Sequence, residues 1–147
     1  MPDVLLDLEI RAPIEKVWEK VVDIESYPDS MESVRWVKIR ERHSDSVRRA
    51  AWSVLLKGSI LEWEEEEHLD HEAHTIVFHQ LSGDLELFDG RWALESEAPD
   101  RTTVVFQVSF EIGIPLLADM LNPVAERSLR DNCTEMLRGI ERGSIAA

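Results

Sequence analysis

The chain has 147 residues, of which 44% are hydrophobic, and its 30 acidic and 16 basic side chains give a formal net charge of −14 at pH 7. This length predicts a single domain, residues 1–147. The negative electrostatic field that such a net charge produces argues against binding nucleic acid or anionic lipid surfaces. No apolar run reaches the roughly 20 residues of a membrane helix, and no basic secretory leader is present, so a cytoplasmic protein without stable membrane insertion is expected.

The first 31 residues predict a strand and two short helices. Residues 4–11 alternate well enough for a strand, and Pro13 ends it because proline lacks a backbone donor. A helix is expected to begin there, since the fixed φ of proline suits the first helical position. The helix should end before Tyr27 and Pro28, and a short second helical turn at 29–31 would lead into the sheet.

The middle of the chain predicts a run of antiparallel strands. The six further segments with strand character are 34–41, 47–57, 60–69, 75–81, 86–95 and 102–112. Short turns rich in Gly, Ser, Asp and Pro separate them, and connections of this length join antiparallel neighbours.

The last third predicts one long amphipathic helix that Pro123 bends. Its apolar positions follow a 3.6-residue period and are Leu117, Met120, Leu121, Val124, Leu129, Cys133, Met136, Leu137 and Ile140. Cys133 is the only cysteine and lies on this apolar stripe, so it is interpreted as a core residue and not a nucleophile. The whole pattern predicts an α+β fold, a curved antiparallel sheet of about seven strands around a long C-terminal helix, with an internal cavity.

Five segments resemble the START-like or SRPBCC helix-grip superfamily, in particular its polyketide cyclase/dehydrase and coenzyme-Q-binding branch. They are 10–18 (IRAPIEKVW), 23–28 (DIESYP), 88–92 (FDGRW), 103–106 (TVVF) and 110–111 (FE). The resemblance spans nearly the whole chain and implies that a hydrophobic small molecule, aromatic or polyketide-like, binds in the cavity. Because most of these positions serve packing and turns, the activity must be argued from a site.

Two functions from different classes follow from this resemblance. The first is a cyclase, aromatase or dehydratase that works by acid/base chemistry without metal or other cofactor, with an acyl carrier protein and a second copy of the chain as candidate partners. The second is a noncatalytic carrier or chaperone for a lipid or an isoprenoid quinone. A third hypothesis, a protein-interaction module using an acidic outer sheet, predicts an occluded cavity.

Two carboxylates on the strand 60–69 are the candidate chemical groups. The inward phase of that strand is predicted to contain Leu61, Trp63, Glu65, Glu67 and Leu69. If the turn at 70–74 places Leu69 opposite Val77, then Glu67 lies opposite His79, and the pair would face the cavity and move protons. A slip of one residue would turn Phe78 inward and send His79 to solvent.

The resemblance also implies arginines on the strands that line the cavity, where they hold a polyketone and stabilise enolate charge. At those places this chain is interpreted as carrying Glu67 and His79, while Arg91 is predicted to point outward. The histidines and carboxylates of 68–74 are not interpreted as a metal site, because side chains on a strand and a tight turn diverge.

The remaining candidate ligand contacts are mostly large apolar side chains from the sheet and the last helix. The predicted ligand-binding residues are Trp63, Glu65, Phe88, Trp92, Phe106, Phe110, Met120, Leu121, Val124 and Asn132. Asn132 is the polar member of the helix group, and its amide either makes a buried structural contact or points at the ligand.

Overall fold

Seven strands form one antiparallel sheet in the computed structural model, which describes residues 3–56, 59–112, 130–131 and 133–142. The strands are β1 (Asp3–Ile10), β2 (Val34–Arg42), β3 (Val47–Leu56), β4 (Ser59–Asp70), β5 (Thr75–Gly83), β6 (Leu85–Ala98) and β7 (Arg101–Ile112). Their order across the sheet is β1-β7-β6-β5-β4-β3-β2, so only β1 is out of sequence, beside the last strand. The predicted fold class is confirmed.

Two short helices connect β1 to β2, as predicted, but their boundaries differ from the prediction. The α-helix α1 spans Ile14–Val22, and a 3-10 helix spans Ile24–Asp29 with Pro28 inside it. The second helical segment therefore lies before the predicted 29–31. A short 3-10 turn accepts Pro28 because it makes few backbone bonds that need the missing donor.

The C-terminal part of the predicted helix is confirmed where the structure describes it. Residues 130–131 and 133–142 are helical, and Cys133, Leu137 and Ile140 are buried as the 3.6-residue period indicates. The predicted bend at Pro123 lies outside the described residues. In the described part of the chain, no helix has both the length and the apolar character needed to cross a membrane.

The core lies between the concave face of the sheet and the helices. Val4, Val104 and Val108 are fully buried at the β1–β7 side, and Val17 and Val21 of α1 are fully buried as well. Across the middle of the sheet the buried side chains become aromatic, and this change in side-chain type marks the position of the cavity.

Candidate functional site

An apolar cavity of about 60 Å³ lies between the concave face of the sheet and the C-terminal helical segment. Five of the predicted ligand-binding residues line it, namely Trp63, Glu65, Phe88, Trp92 and Phe106. Cys133 and Met136 line it from the helical side. A cavity of roughly 150 Å³ holds a benzene ring, so a ring-sized ligand must widen this one, and the flexible side chain of Met136 is suited to yield.

The aromatic walls of the cavity form one continuous set of ring contacts. Trp63 packs against Phe88 with ring centroids 4.8 Å apart, and Trp92 packs against Phe106 at 4.6 Å. Phe78 joins the two pairs, because its centroid is 5.6 Å from that of Phe88 and 5.9 Å from that of Phe106. Such rigid surfaces suit a flat apolar ligand.

The predicted inward phase of β4 is correct, and it places both carboxyl groups inside the protein. Glu65 is 3% exposed and Glu67 is 2% exposed. Two carboxylates this deep cannot both remain charged unless a cation or a proton compensates them.

The predicted pairing of β4 with β5 was wrong by one residue. Glu67 lies opposite Phe78, and His79 lies opposite Glu66. His79 therefore belongs to the outer phase, with its Nε2 3.4 Å from Glu66 Oε2 and its side chain 43% exposed. A large aromatic side chain gains more from burial than an imidazole, so Phe78 takes the inward phase and the predicted Glu67–His79 pair does not form.

Arg48 of β3 is the buried partner of Glu67. The two residues are opposite each other in the β3–β4 ladder, and Arg48 Nε donates to Glu67 Oε1 at 2.6 Å. Their side chains are each 3% exposed, so the ion pair is screened from water. The protein thus does carry a buried arginine, but its charge is neutralised by Glu67.

Glu65 is the second carboxyl group of this cluster, and its raised pKa favours the protonated form. Burial raises the pKa of Glu65 well above its ordinary value, and a hydrogen bond with Glu67 and the charge of Glu67 raise it further. Trp63 Nε1 donates to Glu65 Oε1 at 2.8 Å, and this bond and the charge of Arg48 act in the opposite direction. Within the cluster of Arg48, Glu65 and Glu67, Arg48 compensates the charge of Glu67, and burial favours the neutral form of Glu65.

The raised pKa of Glu65 predicts how stability depends on pH. Above the ordinary pKa of 4.5, the unfolded chain loses the Glu65 proton while the folded chain keeps it, so the folded state binds more protons. Stability due to this group therefore falls as pH rises from about 4.5 toward the folded pKa, with a limiting slope of about 1.4 kcal/mol per pH unit. In urea titrations between pH 5 and 8, Glu65→Gln should lose less stability with rising pH than the wild type.

The neighbouring Glu64 offers a matched control for that titration. Its side chain is 38% exposed on the outer face, within 3.3 Å of Arg49. Glu64→Gln should give a curve parallel to that of the wild type, because its carboxylate is solvated in both states. A Glu65→Gln curve that is also parallel to the wild type would show that Glu65 is ionised in the folded protein.

Tyr27 closes the cluster from the 3-10 helix. It is fully buried, its hydroxyl donates to the Val21 carbonyl oxygen at 2.6 Å, and burial raises the pKa of Tyr27 well above its ordinary value. The Glu67 charge raises this pKa further, so Tyr27 stays neutral, and its hydrogen bond to Val21 holds the ring in place beside the cluster.

The other predicted site residues fall into two groups. Phe110 is buried, 1% exposed, but is not among the residues that line the cavity. Met120, Leu121, Val124 and Asn132 lie outside the described residues, so their roles stay predictions. Cys133 is in the core as expected, and burial raises the pKa of its thiol to about 12.

Sequence reasoning missed Arg48 and Trp52, two inward residues of β3. Arg48, Ala50 and Trp52 share one phase of this strand, and all three are buried. The large indole of Trp52 could have identified that phase as inward, in the way that Trp63 identified the inward phase of β4. Arg91 is exposed, as predicted.

The histidines form no metal cluster in the part of the chain that the structure describes. His71 Nδ1 accepts a hydrogen bond from Trp18 Nε1 at 3.2 Å, and the His74 ring packs edge-on against the same indole. These two residues support α1 at the end of the sheet instead of converging on an ion.

Comparisons with known proteins agree with this geometry. A sequence profile of the family described as polyketide cyclase/dehydrase and lipid transport matches residues 10–137. A protein of Streptomyces halstedii, provisionally named a polyketide cyclase, is 28% identical over 91 residues, which are 60% of this chain and 84% of that protein.

Two crystal structures share the fold over their whole length. A protein of Thermus thermophilus superposes with a TM-score of 0.92 at 26% identity, covering 99% of this chain and 98% of that one. An aromatase/cyclase from Streptomyces sp. R1128 superposes with a TM-score of 0.80 at 22% identity, covering 99% of this chain and 97% of that one. At the latter identity the likeness concerns the fold alone.

Proposed function

The chain belongs to the polyketide cyclase/dehydrase and lipid transport family, and on that premise we propose that it is a cyclase or dehydratase acting on an aromatic or polyketide-like ketone. The ligand would lie in the cavity between Trp63, Phe88, Trp92 and Phe106. The observation that carries the proposal is a buried carboxyl group, Glu65, which is 3% exposed and lies on the wall of a largely apolar cavity.

A buried neutral carboxyl group is suited to acid/base catalysis at neutral pH. Its proton is available because the raised pKa of Glu65 retains it, and the apolar surroundings strengthen any charge interaction that develops. A carrier that only holds a lipid gains nothing from such a group, which costs stability as pH rises.

The proposed reaction is the loss of water from a β-hydroxy ketone. In one concerted step, Glu65 gives its proton to the hydroxyl through one carboxyl oxygen and takes the proton of the carbon next to the ketone through the other. The electron pair of that carbon–hydrogen bond forms the new double bond, and the electron pair of the carbon–oxygen bond leaves with water. Glu65 returns to its acid form, so the products are an enone and water.

Glu67 and Arg48 are proposed as positioning residues for Glu65. A hydrogen bond with Glu67 and the charge of Glu67 raise the pKa of Glu65, and Arg48 neutralises Glu67 at 2.6 Å. Negative charge that develops on Glu65 during the step is stabilised by the same Arg48 charge. The sequence predicted that Glu67 transfers a proton, and here it is proposed to position Glu65 instead. His79 has no role in the proposed reaction because it faces outward.

The test uses the aldol adduct of benzaldehyde and acetone, a β-hydroxy ketone with one ring. Its dehydration to benzalacetone is followed by the absorbance of the conjugated enone. The wild type should accelerate this reaction, and Glu65→Gln should lower kcat by about a hundredfold or more, because glutamine keeps the shape and the hydrogen bonds but cannot transfer the proton.

Two controls decide what a loss of activity means. Glu64→Gln and His79→Gln should keep wild-type activity, since both side chains are on the outer face.

Native mass spectrometry of the purified protein identifies any ligand that copurifies. A copurified lipid or quinone together with no acceleration by the wild type would overturn the enzymatic proposal in favour of the carrier. An acyl carrier protein and a second copy of the chain stay predicted partners.

A further inference from the structure

Trp52, one of the residues that line the cavity, has an indole N–H donor that no described residue satisfies. Trp52 lines the cavity from β3 and is only 7% exposed. Its Nε1 is buried and has no hydrogen-bond partner among the described residues. A buried donor without a partner costs about 1–3 kcal/mol, and a ligand that supplies an acceptor removes that cost.

The neighbouring indole of Trp63 differs from that of Trp52, because its N–H donor has an acceptor within the protein. Trp63 faces Trp52 across the β3–β4 ladder, with ring planes 2° apart and centroids separated by 6.0 Å. Trp63 Nε1 donates to Glu65, whereas Trp52 Nε1 meets no acceptor in the described part of the chain. The two parallel rings therefore differ in whether the indole donor already has a protein partner.

The charges around the cavity disfavour an anionic ligand. The cation that acts on Glu65 is Arg48, and its charge is already paired with Glu67 at 2.6 Å. Arg48 Nη2 is also buried and meets no acceptor among the described side chains and backbone, but Arg48 does not line the cavity. An anion in the cavity would lose its water without gaining Arg48 as a partner, and that loss costs several kcal/mol.

From these observations we infer that the ligand is an uncharged molecule whose apolar ring bears an accepting oxygen, and that Trp52 Nε1–H binds this oxygen. This inference rests on the proposed function, because it specifies the ligand of the same cavity. It makes Trp52 a residue that determines specificity: the ring walls select the apolar part, and the indole N–H orients the oxygen beside Glu65.

The test compares three single-ring probes of similar size. Acetophenone is neutral and has an acceptor, α-methylstyrene is neutral and has none, and benzoate is an anion. Each is titrated into the protein while the five tryptophan indole N–H signals are followed by NMR. The signal missing from Trp52→Phe identifies Trp52, and Trp36→Phe, the same substitution on β2, is the matched control.

Acetophenone should bind about tenfold or more tightly than either other probe and should shift the Trp52 signal downfield. Trp52→Phe should remove the advantage of acetophenone over α-methylstyrene, whereas Trp36→Phe should keep that advantage. Equal affinities for acetophenone and benzoate, or an advantage that survives Trp52→Phe, would overturn the inference and leave the cavity-binding proposal intact. If none of the three probes binds, the proposed function itself fails, and the inference fails with it.

Discussion

Arg48→Met is expected to lower the free energy of unfolding by about 3–5 kcal/mol. Removing one member of a buried ion pair leaves the other charge without compensation, and Glu67 is only 2% exposed. The same pair contributes the charge that balances the Glu65–Glu67 contact, so the loss affects the whole cluster. Chemical denaturation at pH 7 measures the effect, and an unchanged m-value shows that the transition remains two-state.

Two further variants separate the loss of an ion pair from a simple change of volume. The double variant Arg48→Met with Glu67→Met should recover most of the lost stability, because no charge is then left buried. Arg49→Met makes the same substitution at the next residue, whose side chain is 40% exposed and contacts Glu41 and Glu64. It should cost less than about 1 kcal/mol. A loss that small for Arg48→Met would show that water reaches Glu67.

Gly90→Ala should destabilise the protein by about 3 kcal/mol. Gly90 lies on the inward phase of β6, paired with Phe78 and Val108 of the neighbouring strands. A Cβ atom there would clash with the Gln107 carbonyl oxygen and lie 2.7 Å from Phe78 Cζ. The first of these atoms is backbone, so relief requires the sheet itself to shift, and overpacking of this kind costs about 1–3 kcal/mol or more.

Gly139→Ala is the control for the glycine substitution. Its Cβ atom would meet Met31 Cγ at 2.9 Å and the Ser30 carbonyl oxygen at 3.2 Å. The Met31 side chain can move, and alanine favours the helix by up to about 1 kcal/mol, so the net change should stay near zero. Thermal melts of both variants decide the comparison, and similar losses would show that the sheet at Gly90 yields as easily as Met31.

Periodicity predicted most of the fold because it reports burial directly. The strand alternation and the 3.6-residue stripe follow from which faces exclude water, and the structure confirms both where it describes them. The inward position of Glu65 and Glu67 was predictable for the same reason, since Trp63 and Leu69 fix the phase of β4.

Periodicity did not predict the β4–β5 register or the partner that balances the charge of Glu67. The β4–β5 pairing depends on the turn at 70–74, where His74 adopts a positive φ of 56°, and an alternation pattern contains no information about that geometry. Phe78 and His79 are adjacent, so a shift of one residue exchanges an aromatic wall for a solvated imidazole. The Arg48–Glu67 pair joins positions on two strands, and the phase of β3 was not among the predictions.

The buried cluster of Arg48, Glu65 and Glu67 also restricts how this sequence can evolve. Any single exchange that adds or removes a charge at these three positions leaves an unbalanced charge in the core and passes through a poorly stable intermediate. Neutral drift at the three positions should therefore proceed by paired replacements, with arginine and its carboxylate gained or lost together. A lineage that keeps Arg48 while losing Glu67 would retain an unpaired cation in the core, so arginine at position 48 should occur together with a carboxylate at position 67.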